Sequence, residues 1–100
     1  MFNESGKKIQ ILENGKIAFS KEAVSDLYPR QYIDLYYDPD EKRIKLEPLD
    51  DYGSNDSFKI RGIFNLHIDA KDFFEHFEIP VLVGEYDYTL DRGMLIVQLI

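Results

Sequence analysis

The stretch KIQILENGKIAFS at residues 8–20 decides the fold. Polar and apolar side chains alternate along residues 8–12, and the alternation resumes at residues 17–19 after the Asn14-Gly15 step. Such alternation is typical of a strand with one buried face, and an Asn-Gly step between two such runs favours a tight hairpin. The sequence therefore opens with a predicted β-hairpin.

A short helix is predicted directly after this hairpin. The hydroxyl of Ser20 can accept a hydrogen bond from a free N–H of the first helical turn. Ala23, Val24 and Leu27 follow at helical spacing, and Pro29 stops the helix because the residue before a proline disfavours the helical conformation. We expect about two turns of helix.

A second hairpin is predicted over residues 32–48. Period-two alternation runs through residues 32–37, turn-forming residues occupy 38–41, and residues 43–48 return as a strand. Pro48 has no N–H to donate, so this strand should end there or lie at an edge. Residues 50–57 are rich in Asp, Ser and Gly and predict a linker.

The same order of elements recurs after the linker. Residues 58–61 and 64–68 predict two strands, Asp69 takes the capping position that Ser20 holds in the first half, and Pro80 ends the second helix region. The run from Val81 to Tyr88 is predicted to be mainly extended. We therefore interpret residues 1–100 as one mainly β domain made of two ββαββ-like pseudo-repeats, 8–48 and 58–99, with two short helices. Two copies suggest duplication and a closed pseudo-twofold sheet, in which each half covers the open edge of the other. An ordinary α+β domain whose elements recur by chance is the alternative.

The apolar faces of these elements define the expected core. It consists of Ile17, Phe19, Leu27, Ile33, Leu35, Ile44 and Leu46 in the first half, and Leu66, Ile68, Phe73, Phe77, Leu95 and Val97 in the second.

Composition excludes several classes of protein. The absence of cysteine excludes disulfides and thiolate metal sites, and no apolar run is long enough for a membrane span. Residues 1–8 lack the apolar stretch of a secretory signal, so we expect a cytoplasmic protein without a membrane partner.

The net charge of −7 argues against general nucleic-acid binding. Residues 1–50 hold eight Lys/Arg against ten Asp/Glu, and residues 51–100 hold four against nine, so an anionic partner would approach the first half.

The segment ENGKIAFSKEA at residues 13–23 resembles the opening of AbrB-type domains, and the apolar hairpin at 32–48 is similar to the rest of one such half. This resemblance implies a swapped-hairpin, or double-split, β-barrel, here with both halves on one chain. It further implies a DNA-binding transcriptional regulator or an antitoxin-like module. Its implied DNA contacts are four lysines of the first half: Lys7, Lys8, Lys16 and Lys21. The charge favours an alternative, a protein-interaction module that has kept the fold and lost DNA binding.

No catalytic motif, metal site or cofactor site is predicted. His67 and His76 are the only histidines, and neither has the partners that a metal site or a catalytic triad needs. Tyr32 and Tyr36 are the more informative residues, because they share one strand face with Asp34, opposite Ile33. Tyrosine is enriched at protein interfaces, so we predict that this face binds a protein partner or a second copy of the chain. Base stacking on the two rings is one alternative, and a tyrosine pair that only covers the outer wall of the barrel is another.

Overall fold

The computed structural model describes residues 8–50, 57–63 and 65–99. Over these residues the chain is mainly β: eight antiparallel strands form a nearly closed barrel with two short helical segments. The strands are β1 (Lys8–Ile11), β2 (Lys16–Phe19), β3 (Tyr32–Asp38), β4 (Arg43–Leu49), β5 (Phe58–Lys59), β6 (His67–Asp69), β7 (Gly84–Asp91) and β8 (Met94–Gln98). A 3-10 turn, Lys21–Ala23, continues into α1 (Val24–Leu27), and α2 is Lys71–His76. Lys7, Phe64 and residues 51–56 of the linker predicted at 50–57 lie outside the described residues. None of the described helices has the length and apolar character needed to cross a membrane.

The first hairpin forms as predicted, with β1 and β2 paired antiparallel. Gly15 has a φ of 83°, and its N–H donates to the carbonyl of Leu12 at 2.9 Å. A Cβ at this position would lie 2.9 Å from the Cα of Lys71, at the start of α2. The glycine is therefore required twice, for its left-handed backbone and for the close approach of α2.

The sheet runs in the order β5-β3-β4-β8-β7-β1-β2-β6. A bridge between Arg61 and His67 brings the two ends of this order together, beside β5 and β6. Strands β2 and β4 each have one neighbour in their own half and one in the other half. The neighbour in the other half is β6 for β2 and β8 for β4. Neither half thus completes its own sheet.

The pairing has an internal symmetry. The counterparts in the two halves are β1 and β5, β2 and β6, β3 and β7, and β4 and β8. If each strand is exchanged with its counterpart, the order of neighbours around the barrel is unchanged. Two of the four strand pairs that join the halves bring counterpart residues opposite each other, Ile17 with Ile68 between β2 and β6 and Lys45 with Ile96 between β4 and β8, each 51 residues apart. This is the arrangement expected of a pseudo-twofold sheet, and duplication itself stays a prediction.

The core inside the barrel largely matches the expected one. Of the thirteen predicted core residues, ten are buried, and Leu35 and Leu66 are partly buried against them. The prediction for Phe77 is wrong, because α2 ends at His76 and leaves the ring of Phe77 44% exposed. Core residues that the sequence did not predict are Ile9, Ile11, Ala23, Ala70, Phe74, Ile79 and Tyr88.

Both predicted caps are wrong in detail. Ser20 does precede the first helical turn, but its hydroxyl accepts a hydrogen bond from the N–H of Lys8 at 3.0 Å. It is therefore used to tie the end of β2 to β1. In the second half Ala70 holds the cap position, because Asp69 is still paired in β6. The carboxylate of Asp69 accepts a long bond of 3.4 Å from the N–H of Lys71.

The edge prediction for Pro48 is confirmed. Strand β4 pairs with β3 along its whole length but with β8 only as far as Leu46. Pro48 lies beyond that point, where no second strand needs its missing N–H. The extended run predicted from Val81 begins later, since β7 starts at Gly84.

Candidate protein-interaction face

Strand β3 places the two predicted tyrosines on the outside of the barrel. Ile33 points into the core and is fully buried, so its neighbours Tyr32 and Asp34 face outward. Tyr36 follows on the same face and is 45% exposed, whereas Tyr32 is half-buried. The structure thus brings both tyrosines and Asp34 onto one outer strand face.

A pair of carboxylates lies between these tyrosines. In the register of β3 and β4, Asp34 is directly opposite Glu47, so their Cβ atoms are about 5 Å apart. Asp34 accepts a hydrogen bond from the hydroxyl of Ser57, and Glu47 accepts one of 3.0 Å from the hydroxyl of Tyr36. Two like charges directly opposite each other in a sheet are unfavourable, and these hydrogen bonds stabilise the two carboxylates.

The environment of Tyr36 reflects these neighbours. Partial burial, followed by the hydrogen bond to Glu47 and the negative charges of Glu47 and Asp34, raises the pKa of the Tyr36 hydroxyl. Lys45 is the residue directly opposite Tyr36 on β4. We call Tyr32, Asp34, Tyr36, Lys45 and Glu47 the acidic tyrosine face. It carries two carboxylates and one ammonium group, and Lys59 on β5 lies opposite Tyr32 at its edge.

Lys45 and Glu47 are the residues of this face that the sequence did not place beside the tyrosines. Alternation places Asp34 beside the tyrosines, but only the strand register shows which residue of β4 lies opposite it. The signal was the turn between the strands, because its length sets the register of the whole hairpin.

Of the predicted DNA-contacting lysines that the structure describes, Lys16 lies apart from Lys8, whereas Lys21 follows Ser20, the residue that is hydrogen-bonded to Lys8. Lys8 begins β1 and Lys16 begins the antiparallel β2, so they lie at opposite ends of the hairpin, about 13 Å apart by the strand rise. The Nζ of Lys8 is 4.0 Å from a carboxylate oxygen of Asp87, and Lys16 is opposite Asp69 in the register. Lys21 is exposed on the 3-10 turn after β2.

Neither histidine belongs to a metal cluster. The Nδ1 of His67 is 2.9 Å from the carbonyl oxygen of Asn65, and the ring of His76 packs edge-on against Phe77. Within residues 8–50, 57–63 and 65–99, no group of three or more His, Cys, Asp or Glu side chains could hold a metal ion.

Comparison of the chain with known protein families, with curated proteins and with solved structures finds no match.

Proposed function

We propose that this protein is a protein-interaction module whose acidic tyrosine face binds an arginine-rich segment of a partner protein. The observation that carries the proposal is the opposed pair of Asp34 and Glu47, held between Tyr32 and the exposed Tyr36. This arrangement offers two acceptors and two aromatic rings to one incoming group.

A guanidinium group suits this face for two reasons. Its planar set of donors can bond both carboxylates at once, and its charge relieves their mutual repulsion. A cation held against an exposed tyrosine ring such as that of Tyr36 adds about 0.5–1 kcal/mol. The net charge of −7 also speeds the approach of a basic partner at low salt.

For the fold, we propose the AbrB-like swapped-hairpin barrel with both halves on one chain. The neighbour order that is unchanged when the halves are exchanged supports it. Superposing residues 8–48 on 58–99 tests the duplication, and unrelated paths of the two backbones would contradict it.

Duplex DNA is the second candidate partner, and the resemblance to AbrB-type domains favours it. Contact would come from Lys7, Lys8, Lys16 and Lys21, since residues 51–100 carry nine acidic against four basic side chains. The carboxylates beside Lys8 and Lys16 make this surface weaker for phosphates than an unpaired basic face.

The test compares the two partners on the same protein. Fluorescence anisotropy would follow labelled peptides Ac-GRGRGRG-NH2 and Ac-GEGEGEG-NH2, together with a random DNA duplex at about 50 mM salt. We expect the arginine peptide alone to bind. The double variant Asp34→Asn/Glu47→Gln should weaken it at least about tenfold, which corresponds to 1.4 kcal/mol.

A matched control variant removes the same number of negative charges at another place on the protein. Glu85 and Asp91 lie on β7, outside the acidic tyrosine face. Glu85→Gln/Asp91→Asn should lower affinity far less than the face variant. Equal loss in the two variants would show that only net charge matters and would overturn the proposed site. Duplex binding tighter than peptide binding, and weakened by Lys16→Glu, would establish the DNA role instead.

A further inference from the structure

A second surface lies where β1 and β7 separate. Their last paired residues are Ile11 and Gly84. Beyond this pair the chains diverge, and a shallow cleft opens between the hairpin turn at Leu12–Asn14 and the segment Val81–Val83. The cleft continues to the end of α2, so it is bounded by three different parts of the fold.

This cleft is apolar in its floor and along one wall. Phe74 and Ile79 form the buried floor, with exposures of 2% and 6%. Val81 and Val83 line the wall and are 38% and 58% exposed, and Leu82 between them in sequence is 40% exposed. Three consecutive exposed apolar residues, two of them β-branched, are typical of a strand that lacks its partner.

Most backbone polar groups of residues 81–83 make no hydrogen bond to the described residues. The carbonyl of Leu82 accepts a hydrogen bond of 2.7 Å from the hydroxyl of Tyr86. Among the described residues, the backbone N–H and C=O groups of Val81 and Val83 make no hydrogen bond. They can pair with an added strand, which is how extended peptides extend an open sheet edge.

The charges around the cleft select the kind of strand. Glu13, Glu75 and Glu78 line it and are exposed, and Lys71 is the one basic residue among its lining side chains. Basic residues on an incoming strand would therefore meet carboxylates, while apolar residues between them would meet the wall and floor.

We propose that this cleft binds one extended segment of a partner protein, in which branched apolar residues alternate with lysine or arginine. The segment would pair with the backbone of Val81–Val83 and lengthen the sheet beside β7. This surface is separate from the acidic tyrosine face, which lies on β3 and β4, so the two proposals stand independently.

The test uses the peptide Ac-KVKVKVK-NH2 and its polar counterpart Ac-KSKSKSK-NH2. Titration into the 15N-labelled protein should shift the amide signals of residues 12–14 and 81–83 with the valine peptide only. Val83→Pro removes one pairing N–H in a segment outside the sheet and should weaken binding about tenfold. Val83→Thr keeps the amide and the branched shape and should bind within about threefold of the parent protein.

A second variant tests the charges without altering the backbone. Glu13→Gln/Glu78→Gln should weaken the valine peptide several-fold at low salt, and the difference from the parent protein should shrink as salt rises. Equal binding of both peptides, or no effect of Val83→Pro, would overturn the proposal. Shifts confined to residues 32–36 and 45–47 would also overturn it. Asp34→Asn/Glu47→Gln should leave binding of the valine peptide to the cleft unchanged. A failure of the cleft proposal can therefore be distinguished from a failure of the proposal for the acidic tyrosine face.

Discussion

The hydroxyl of Tyr88 on β7 donates a hydrogen bond of 2.7 Å to a carboxylate oxygen of Asp26 on α1. Tyr88 points into the barrel and is 7% exposed, so this bond joins the helix of the first half to a core residue of the second. Burial, followed by the bond to Asp26, raises the pKa of the Tyr88 hydroxyl well above its usual range.

Removing this hydroxyl should destabilise the protein. Tyr88→Phe keeps the ring in the core but loses a bond to a charged acceptor, so we expect the free energy of unfolding to fall by about 1–3 kcal/mol. Urea denaturation at pH 7 measures it. Asp26→Asn keeps an acceptor for the hydroxyl and should lose less than Tyr88→Phe. A loss under about 0.5 kcal/mol in Tyr88→Phe would show that the bond contributes little.

The raised pKa of Tyr88 also predicts how stability depends on pH. In the unfolded chain the hydroxyl ionises near pH 10, while the folded protein still holds the proton. The folded state then binds more protons, so stability falls as pH rises through this range, by at most about 1.4 kcal/mol per pH unit for one group. Denaturation between pH 8 and 11 should show a shallower decline for Tyr88→Phe. Identical pH profiles would contradict the assignment.

Local patterns predicted those parts of the fold that depend on neighbouring residues. Alternation alone found Ile33 and Ile44 in the core, and the Asn14-Gly15 step found the first hairpin. Tyr88 was not predicted because the extended run from Val81 does not show which of its faces is buried, and the strand begins only at Gly84, where it meets β1. The start of a strand depends on its partner, here β1, which is far away in sequence.

In the candidate sites, too, the sequence predicts what depends on neighbouring residues and does not predict what depends on distant strands. The tyrosines share a face because side chains alternate along one strand, which a sequence reveals. The opposition of Asp34 and Glu47 depends on the register between two strands, and the cleft beside Val83 depends on where two distant strands part. Neither relationship is a property of a single segment, so periodicity alone does not predict it.

Leu46 should be among the most sensitive core positions. It is fully buried on β4, which has β3 on one side and β8 on the other. Leu46→Ala should lower the free energy of unfolding by about 2–5 kcal/mol, from lost burial and the cavity left behind. Leu90→Ala is the matched control, because Leu90 is 50% exposed at the end of β7 and should lose under about 1 kcal/mol. Equal losses at the two positions would contradict the assignment of the core.

Two glycines separate backbone strain from close packing. Gly15 and Gly93 have φ angles of 83° and 81°, but a Cβ would meet the backbone of Lys71 at the first and open space at the second. Gly93→Ala should destabilise by about 1–2 kcal/mol from the left-handed backbone alone. Gly15→Ala should lose clearly more, because α2 must also move. Thermal denaturation compares the two variants, and equal changes in Tm would exclude the steric contribution of Lys71.

The division of the barrel between two halves has a consequence during synthesis on the ribosome. Strands β2 and β4 acquire their second neighbours, β6 and β8, only when the later part of the chain has been made. β1 and β3 likewise wait for β7 and β5, so until then all four strands of the nascent first half have an open edge, and the apolar side chains of the unfinished barrel are exposed. This is the interval in which the chain is most exposed to aggregation and most dependent on chaperones, and slower translation of the second half would lengthen it.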